Sequence, residues 1–168
     1  MAYLPMTMYL YSLIDAAKNI SGWAATLVGK ERHKETDGVL LSTTPDQTRI
    51  LATASAVKLL VRPCDIILIT NTWSSAEELR SLLDTPVQEW PEVALTPGQY
   101  RTEPSSLTLR PLLRPHRILR VEGYPEVRRT ADSVERAEPA LDPAQRAAYM
   151  ASMTFAIAKL KHYVAAPL

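Results

Sequence analysis

A single cysteine, Cys64, excludes an intramolecular disulfide and any cysteine-cluster metal site. Only three histidines are present, His33, His116 and His162, and no two have the spacing of zinc ligands. Only five glycines occur, and none forms a glycine-rich phosphate loop. No apolar run reaches the roughly 18 residues that span a bilayer, so no membrane partner is expected. The N-terminal run lacks a basic region and a cleavage site, which makes it a strand rather than a signal peptide, and the expected location is cytoplasmic. Net charge is only +1, so no global field calls for a nucleic acid or a membrane, and any basic surface must be local.

What is present is a chain of 168 residues, enough for one domain with a real core. Tyr9 to Asp15 alternates and reads as a strand, Gly22 to Val28 as a second and Thr36 to Thr43 as a third, with Asp37-Gly38 a bulge or tight turn. Short links between them predict an antiparallel meander. Thr44-Pro45-Asp46 opens a helix with Asp46 suited to cap it, a stripe of Ile50, Ala54, Val57 and Val61, and Pro63 as its stop. Cys64 to Thr70 is almost continuously apolar, as in a strand buried on both faces, and Cys64 is expected to be a buried structural thiol.

Ser74 or Ser75, followed by Glu77 and Glu78, starts a short helix to about Leu83. The proline-rich stretch from Asp84 to Pro104 reads mostly as loop, and Ser105 to Leu113 as one short helix. A strand over Arg117 to Val121 and a helix over Glu126 to Ala137 follow. A last helix begins at Asp142-Pro143, with a capping box to Gln145 and an apolar stripe of Tyr149, Met153, Ala156, Leu160 and Val164. The predicted class is α/β: a mixed five-stranded sheet, antiparallel meander then parallel strands, with helices on both faces. The expected domain spans residues 1–140, with residues 141–168 a C-terminal helical extension packed on it.

This order resembles ribonuclease H, and particular residues carry the resemblance. Asp15 closes the first strand, as an aspartate does in that family, and Gly22-Trp-Ala-Ala-Thr-Leu27 stands where the family has Gly-aromatic-Gly-Ala. Thr43-Thr44 precedes the helix in which the family carries a catalytic glutamate, and Arg49 falls at that place. Thr70-Asn71-Thr72 stands for the family's Thr-Asp-Ser. Val121-Glu-Gly-Tyr124 stands for Val-Lys-Gly-His, and Asp132 with Ala137 for the last catalytic aspartate and its alanine. The match covers about Met8 to Ala137.

The resemblance implies metal chemistry: in the family four carboxylates hold two Mg²⁺ ions about 4 Å apart. Here Asp15 and Asp132 remain while Arg49 and Asn71 replace the other two, so the formal charge falls from −4 to −1. Mg²⁺ is a hard cation that favours anionic oxygen ligands, and Asn71 can offer only a neutral, weaker oxygen. Tyr124, where a histidine is expected, is a poor proton shuttle near neutral pH because its ordinary pKa is about 10. The implied protein is a catalytically impaired ribonuclease H-like domain kept as a binding module for nucleic acid or protein, with no cofactor expected. Two rivals stand beside it: an active Mg²⁺- or Mn²⁺-dependent nuclease cutting RNA–DNA hybrids through metal ligands Asp15, Asp132 and a third group, and a protein–protein scaffold. For the nucleic-acid partner, an RNA–DNA hybrid or duplex, the candidate phosphate contacts are Arg110, Arg114, Arg117, Arg120, Arg128 and Arg129.

Overall fold

The computed structural model describes residues 3–15, 20–30, 32–41, 44–89, 105–123, 126–128, 134–136 and 142–165. Strands β1 (Leu4–Asp15), β2 (Ile20–Gly29) and β3 (His33–Leu41) form the expected meander. Helix α1 (Pro45–Val57) then crosses over to β4 (Cys64–Thr70), which pairs parallel to β1. After the short helix α2 (Ala76–Ser81), strands β5 (Val87–Glu89) and β6 (Ser105–Leu107) and helix α3 (Leu109–Leu113), strand β7 (Arg117–Gly123) adds parallel to β4. The sheet order is β3-β2-β1-β4-β7, a mixed five-stranded sheet of the predicted class. The strands β8 (Glu126–Arg128) and β9 (Val134–Arg136) make a separate hairpin, and α4 (Pro143–Ala165) ends the described chain.

Strand alternation divides the core into two layers. Met8, Leu10, Trp23, Leu27, Ile66 and Leu68 face α1, whose Ile50, Ala54 and Val57 pack on them. Tyr9, Tyr11, Ala24 and Ile69 face the other way, onto Tyr149, Met153 and Ala156 of α4. Each fully buried aliphatic or aromatic side chain contributes roughly 1.5–3 kcal/mol. Tyr11 and Tyr149 meet edge to face with ring centroids 6.0 Å apart. Ser152, fully buried, donates to the Tyr9 carbonyl at 2.9 Å and bonds the Thr26 hydroxyl at 2.8 Å, a polar pin through the apolar layer. The box predicted at the start of α4 is formed: Gln145 N–H donates to Asp142 Oδ1 at 2.8 Å, and Asp142 N–H to Gln145 Oε1 at 3.3 Å.

Several expectations change. The segment from Glu126 is not a helix: β8 pairs with β9, because valine alternating with charged residues suits a two-stranded ladder. Ser105 to Leu113 is not one helix, since Ser105–Leu107 pairs with Val87–Glu89 and only Leu109–Leu113 is helical. β3 runs through Gly38 in continuous register, opposite Trp23, with neither bulge nor turn. The glycine is there for contact, since a Cβ at Gly38 would lie 2.4–2.8 Å from three atoms of the Trp23 indole. Thr44 rather than Asp46 caps α1, in a reciprocal box with Gln47. Val61 lies beyond the helix and is 75% exposed, because α1 ends at Val57.

Cys64 is buried, and its thiol donates to the Arg62 carbonyl at 3.2 Å. Burial pushes that thiol above its usual range, with Asp65 adding to the effect. The Cys64 N–H is received by His116 Nδ1 at 3.0 Å, which joins the first residue of β4 to the turn before β7. Desolvation holds the His116 imidazole below its ordinary pKa.

Candidate functional site

Of the sequence-predicted residues, Asn71 directly follows the carboxyl end of β4, beside β1. In a parallel pair the ladder register decides which side chains become neighbours, and Leu10 is opposite Thr70. Asn71 therefore stands beside Ser12, and its amide spans that residue at both ends. Ser12 N–H donates to Asn71 Oδ1 at 2.9 Å, and Asn71 Nδ2 donates to the Ser12 carbonyl at 2.7 Å. The side chain thus acts as one more peptide unit, extending the ladder where the β4 backbone turns away. The Ser12 and Thr72 hydroxyls are 2.9 Å apart, and Thr72 N–H donates to the Thr70 hydroxyl at 2.8 Å.

The loop after Asn71 is fastened to α1. Trp73, fully buried, donates from Nε1 to the Thr53 hydroxyl at 2.8 Å, and that hydroxyl donates to the Arg49 carbonyl at 2.8 Å. Gly123 at the end of β7 closes the other side, where a Cβ would lie 2.4 Å from the Trp73 carbonyl and 2.6 Å from Ser74 Cα. The Arg49 guanidinium lies 3.4 Å from Asp46 and 4.0 Å from Glu78, so it joins carboxylates of α1 and α2. Glu78 also receives Ser74 N–H and the Ser74 hydroxyl, at 3.3 and 2.8 Å. Both acids are substantially solvated, so this contact is worth at most about 1 kcal/mol.

Asp15 is at the hairpin end of β1, opposite Ile20, three residues past Ser12 and so about 10 Å along the strand. By alternation it is in phase with Tyr9, Tyr11 and Leu13, the residues that face α4, whereas Ser12 is in phase with Met8 and Leu10, which face α1. The residue beside Asn71 and on the α1 side is therefore Ser12, which the sequence reading did not single out. Asp132 and Tyr124 lie outside the described residues. Among the described residues the first helix after β7 is α4, and the acid at its start is Asp142. The Tyr9 hydroxyl is raised above its usual range by burial first, then by the fields of Asp142 and Glu122. Among the described residues no three His, Cys, Asp or Glu side chains are grouped to hold a metal ion, and no helix is long and apolar enough to cross a membrane.

The arginine set is divided rather than gathered. Arg110 belongs to α3, on the α1 side, and grips Asp84 with two bonds of 2.6 and 2.8 Å. That guanidinium holds the Asp84 carboxyl below its ordinary range. Arg117 grips Asp65 at 2.7 and 2.9 Å and lies 3.9 Å over the ring of Tyr3. Arg120 meets Glu122 at 2.7 Å. Both β7 arginines are opposite Asp65 and Ile67, on the α4 side. Arg114 is exposed and has no carboxylate partner among the described residues. Arg128 is in β8, with its side chain outside the described set, and Arg129 is outside it altogether.

No protein-family model matches the chain. A stretch of 51 residues is 41% identical to a protein named Ribonuclease H from Janthinobacterium sp. (strain Marseille), covering 30% of this chain and 35% of that one. The chain thus spans about a third of the length of the curated relative it matches. Together with the mixed five-stranded sheet, the stretch supports a ribonuclease H-like relationship.

Proposed function

We propose that this ribonuclease H-like domain is catalytically impaired and serves as a binding module for nucleic acid or protein, in the cytoplasm. The observation that carries the reading is the Asn71 amide. Both of its polar ends are committed to the backbone of Ser12, at 2.9 and 2.7 Å. Mg²⁺ favours anionic oxygen ligands, and this neutral amide oxygen is both a weaker donor and already oriented by the Ser12 N–H. Ser12 supplies a hydroxyl where a carboxylate would be needed, and Arg49 brings a cation to the same end of the sheet. These donors do not fit a pair of divalent ions. Asp15 and Asp132 are left as relic positions with weak metal affinity or none, together with Arg49, Asn71 and Tyr124.

The test uses a labelled RNA–DNA hybrid with Mg²⁺ or Mn²⁺. The expected result is no cleavage above background, for wild type and Asp15→Asn alike. Cleavage by the wild type that disappears in Asp15→Asn or Asp132→Asn would establish the nuclease rival. In the same samples, polarisation of the labelled hybrid separates the two kinds of partner. Binding that weakens with salt, and weakens further in Arg117→Ala with Arg120→Ala, supports nucleic acid. The ion pairs at Asp84, Asp65 and Glu122 already neutralise three of the arginines, so the expected salt slope is shallow, about −1 to −2 in log–log form. No binding at low salt leaves a protein as the partner.

A further inference from the structure

The amino ends of β1 and β4 carry a different feature, about 20 Å along the sheet from Ser12 and Asn71. Here the end of α1, the start of both strands and the β2–β3 hairpin enclose a cleft of about 350 Å³, its open mouth included. Its floor is aliphatic, from Met6, Leu27, Leu60 and Cys64. Its rim carries three cations, Arg32, Lys34 and Arg62, and no acidic side chain lines it among the described residues. Lys34 is anchored, donating to the Leu59 carbonyl at 2.8 Å, where a cation suits the end of α1. Arg32 and Arg62 are exposed and have no carboxylate partner among the described residues. On the lip, Val61 is 75% exposed and Leu4 38% exposed.

The chemistry of this cleft selects its occupant. Arg32 and Arg62, without a carboxylate partner among the described residues, call for an anion, and the apolar floor calls for an apolar group joined to it. Among the described residues no aromatic ring lines the cleft, which therefore presents no stacking surface for a base there. The cleft is shallow and open, which excludes a long acyl chain and leaves room only for an aliphatic side chain laid across its mouth, against Leu4 and Val61. A peptide satisfies all three conditions, with an anchor across the mouth and charges on the rim. We propose that the cleft docks an acidic segment of a partner protein, which lays one aliphatic side chain across the mouth and its carboxylates against Arg32 and Arg62. This stands independently of the reading given to the Ser12–Asn71 end.

The test titrates the ¹⁵N-labelled chain with a capped peptide that has one leucine between pairs of glutamates. The expected result is shifted amide resonances for Leu27, Leu60 and Cys64, with Ser12 and Asn71 unmoved. Arg32→Glu combined with Arg62→Glu should weaken binding at least about tenfold, which is about 1.4 kcal/mol. Both residues are on the surface, so the remaining resonances should stay in place. Replacing the peptide's leucine by serine should weaken binding to a similar degree. An absence of shifts at millimolar peptide overturns the proposal, as does a serine peptide that binds equally well. Tighter binding of oligothymidylate with the same shifts would assign the cleft to phosphates instead. None of these failures bears on the metal end, because Ser12 and Asn71 report separately.

Discussion

Asn71 shows how one atom changes what a position can do. Its Nδ2 donates to the Ser12 carbonyl, and a carboxylate there has no hydrogen to give. Asn71→Asp should therefore destabilise the fold by roughly 1–3 kcal/mol near neutral pH, because it leaves a carbonyl unpaired and sets a negative charge against it. The cost should shrink as pH falls from neutral toward the ordinary carboxyl value of about 3.9 and vanish below it, where the protonated acid donates again. Urea denaturation of variant and wild type across that range checks both parts, and equal midpoints at pH 7 would show that the amide is not a structural link. Any attempt to rebuild a metal site with Arg49→Glu and Asn71→Asp meets this cost. The two tasks, closing the ladder and holding a cation, exclude each other at this position.

At the scale of elements, His116 makes a comparable tie between β4 and β7. Its Nδ1 accepts from the Cys64 N–H, so the bond exists only while the ring is neutral. Burial lowers its pKa in the fold, and the unfolded chain therefore binds the extra proton first. Stability from this group is complete above the unfolded value of about 6.5 and is lost as pH falls from there toward the folded value. Urea midpoints at pH 7.5 and 5.5 should drop more for wild type than for His116→Asn, which keeps a neutral acceptor; equal drops would sink the idea. Much of this level could be read in the sequence. The alternation of β1, the apolar run of β4, the Ser75 cap of α2 and the capping box of α4 are local signals, and they survive folding. The β8–β9 hairpin was missed because its charged residues leave no apolar period to separate helix from strand. The β5–β6 pair joins segments distant in sequence, which no local pattern reports. In the site, Asn71 and Arg49 were visible from the order of motifs. Ser12 was not, because its place beside Asn71 depends on the register of two strands separated by a helix.

The whole molecule is a sheet between unequal layers. α1, α2 and α3 share one face with β5, while α4 is the helix packed on the other among the described residues. The pin at Ser152 should then matter to the entire fold. Ser152→Ala removes the donor to Tyr9 and leaves the buried Thr26 hydroxyl without that bond, a loss of about 1–2 kcal/mol. For a chain of this size the thermal midpoint should fall by about 2–8 °C, measurable by circular dichroism. A midpoint unchanged within 1 °C would show that apolar packing alone seats α4. The same contact has a consequence in time. Ser152 and Tyr9 are 143 residues apart, so the second layer joins the first described strand to the last described helix. During translation Tyr9, Tyr11 and Ile69 must wait, uncovered, until α4 has left the ribosome. Contacts of such long range slow folding and lengthen the exposure of apolar surface. A chain truncated before Pro143 should therefore leave that apolar face open and aggregate, which light scattering of the truncated product would show.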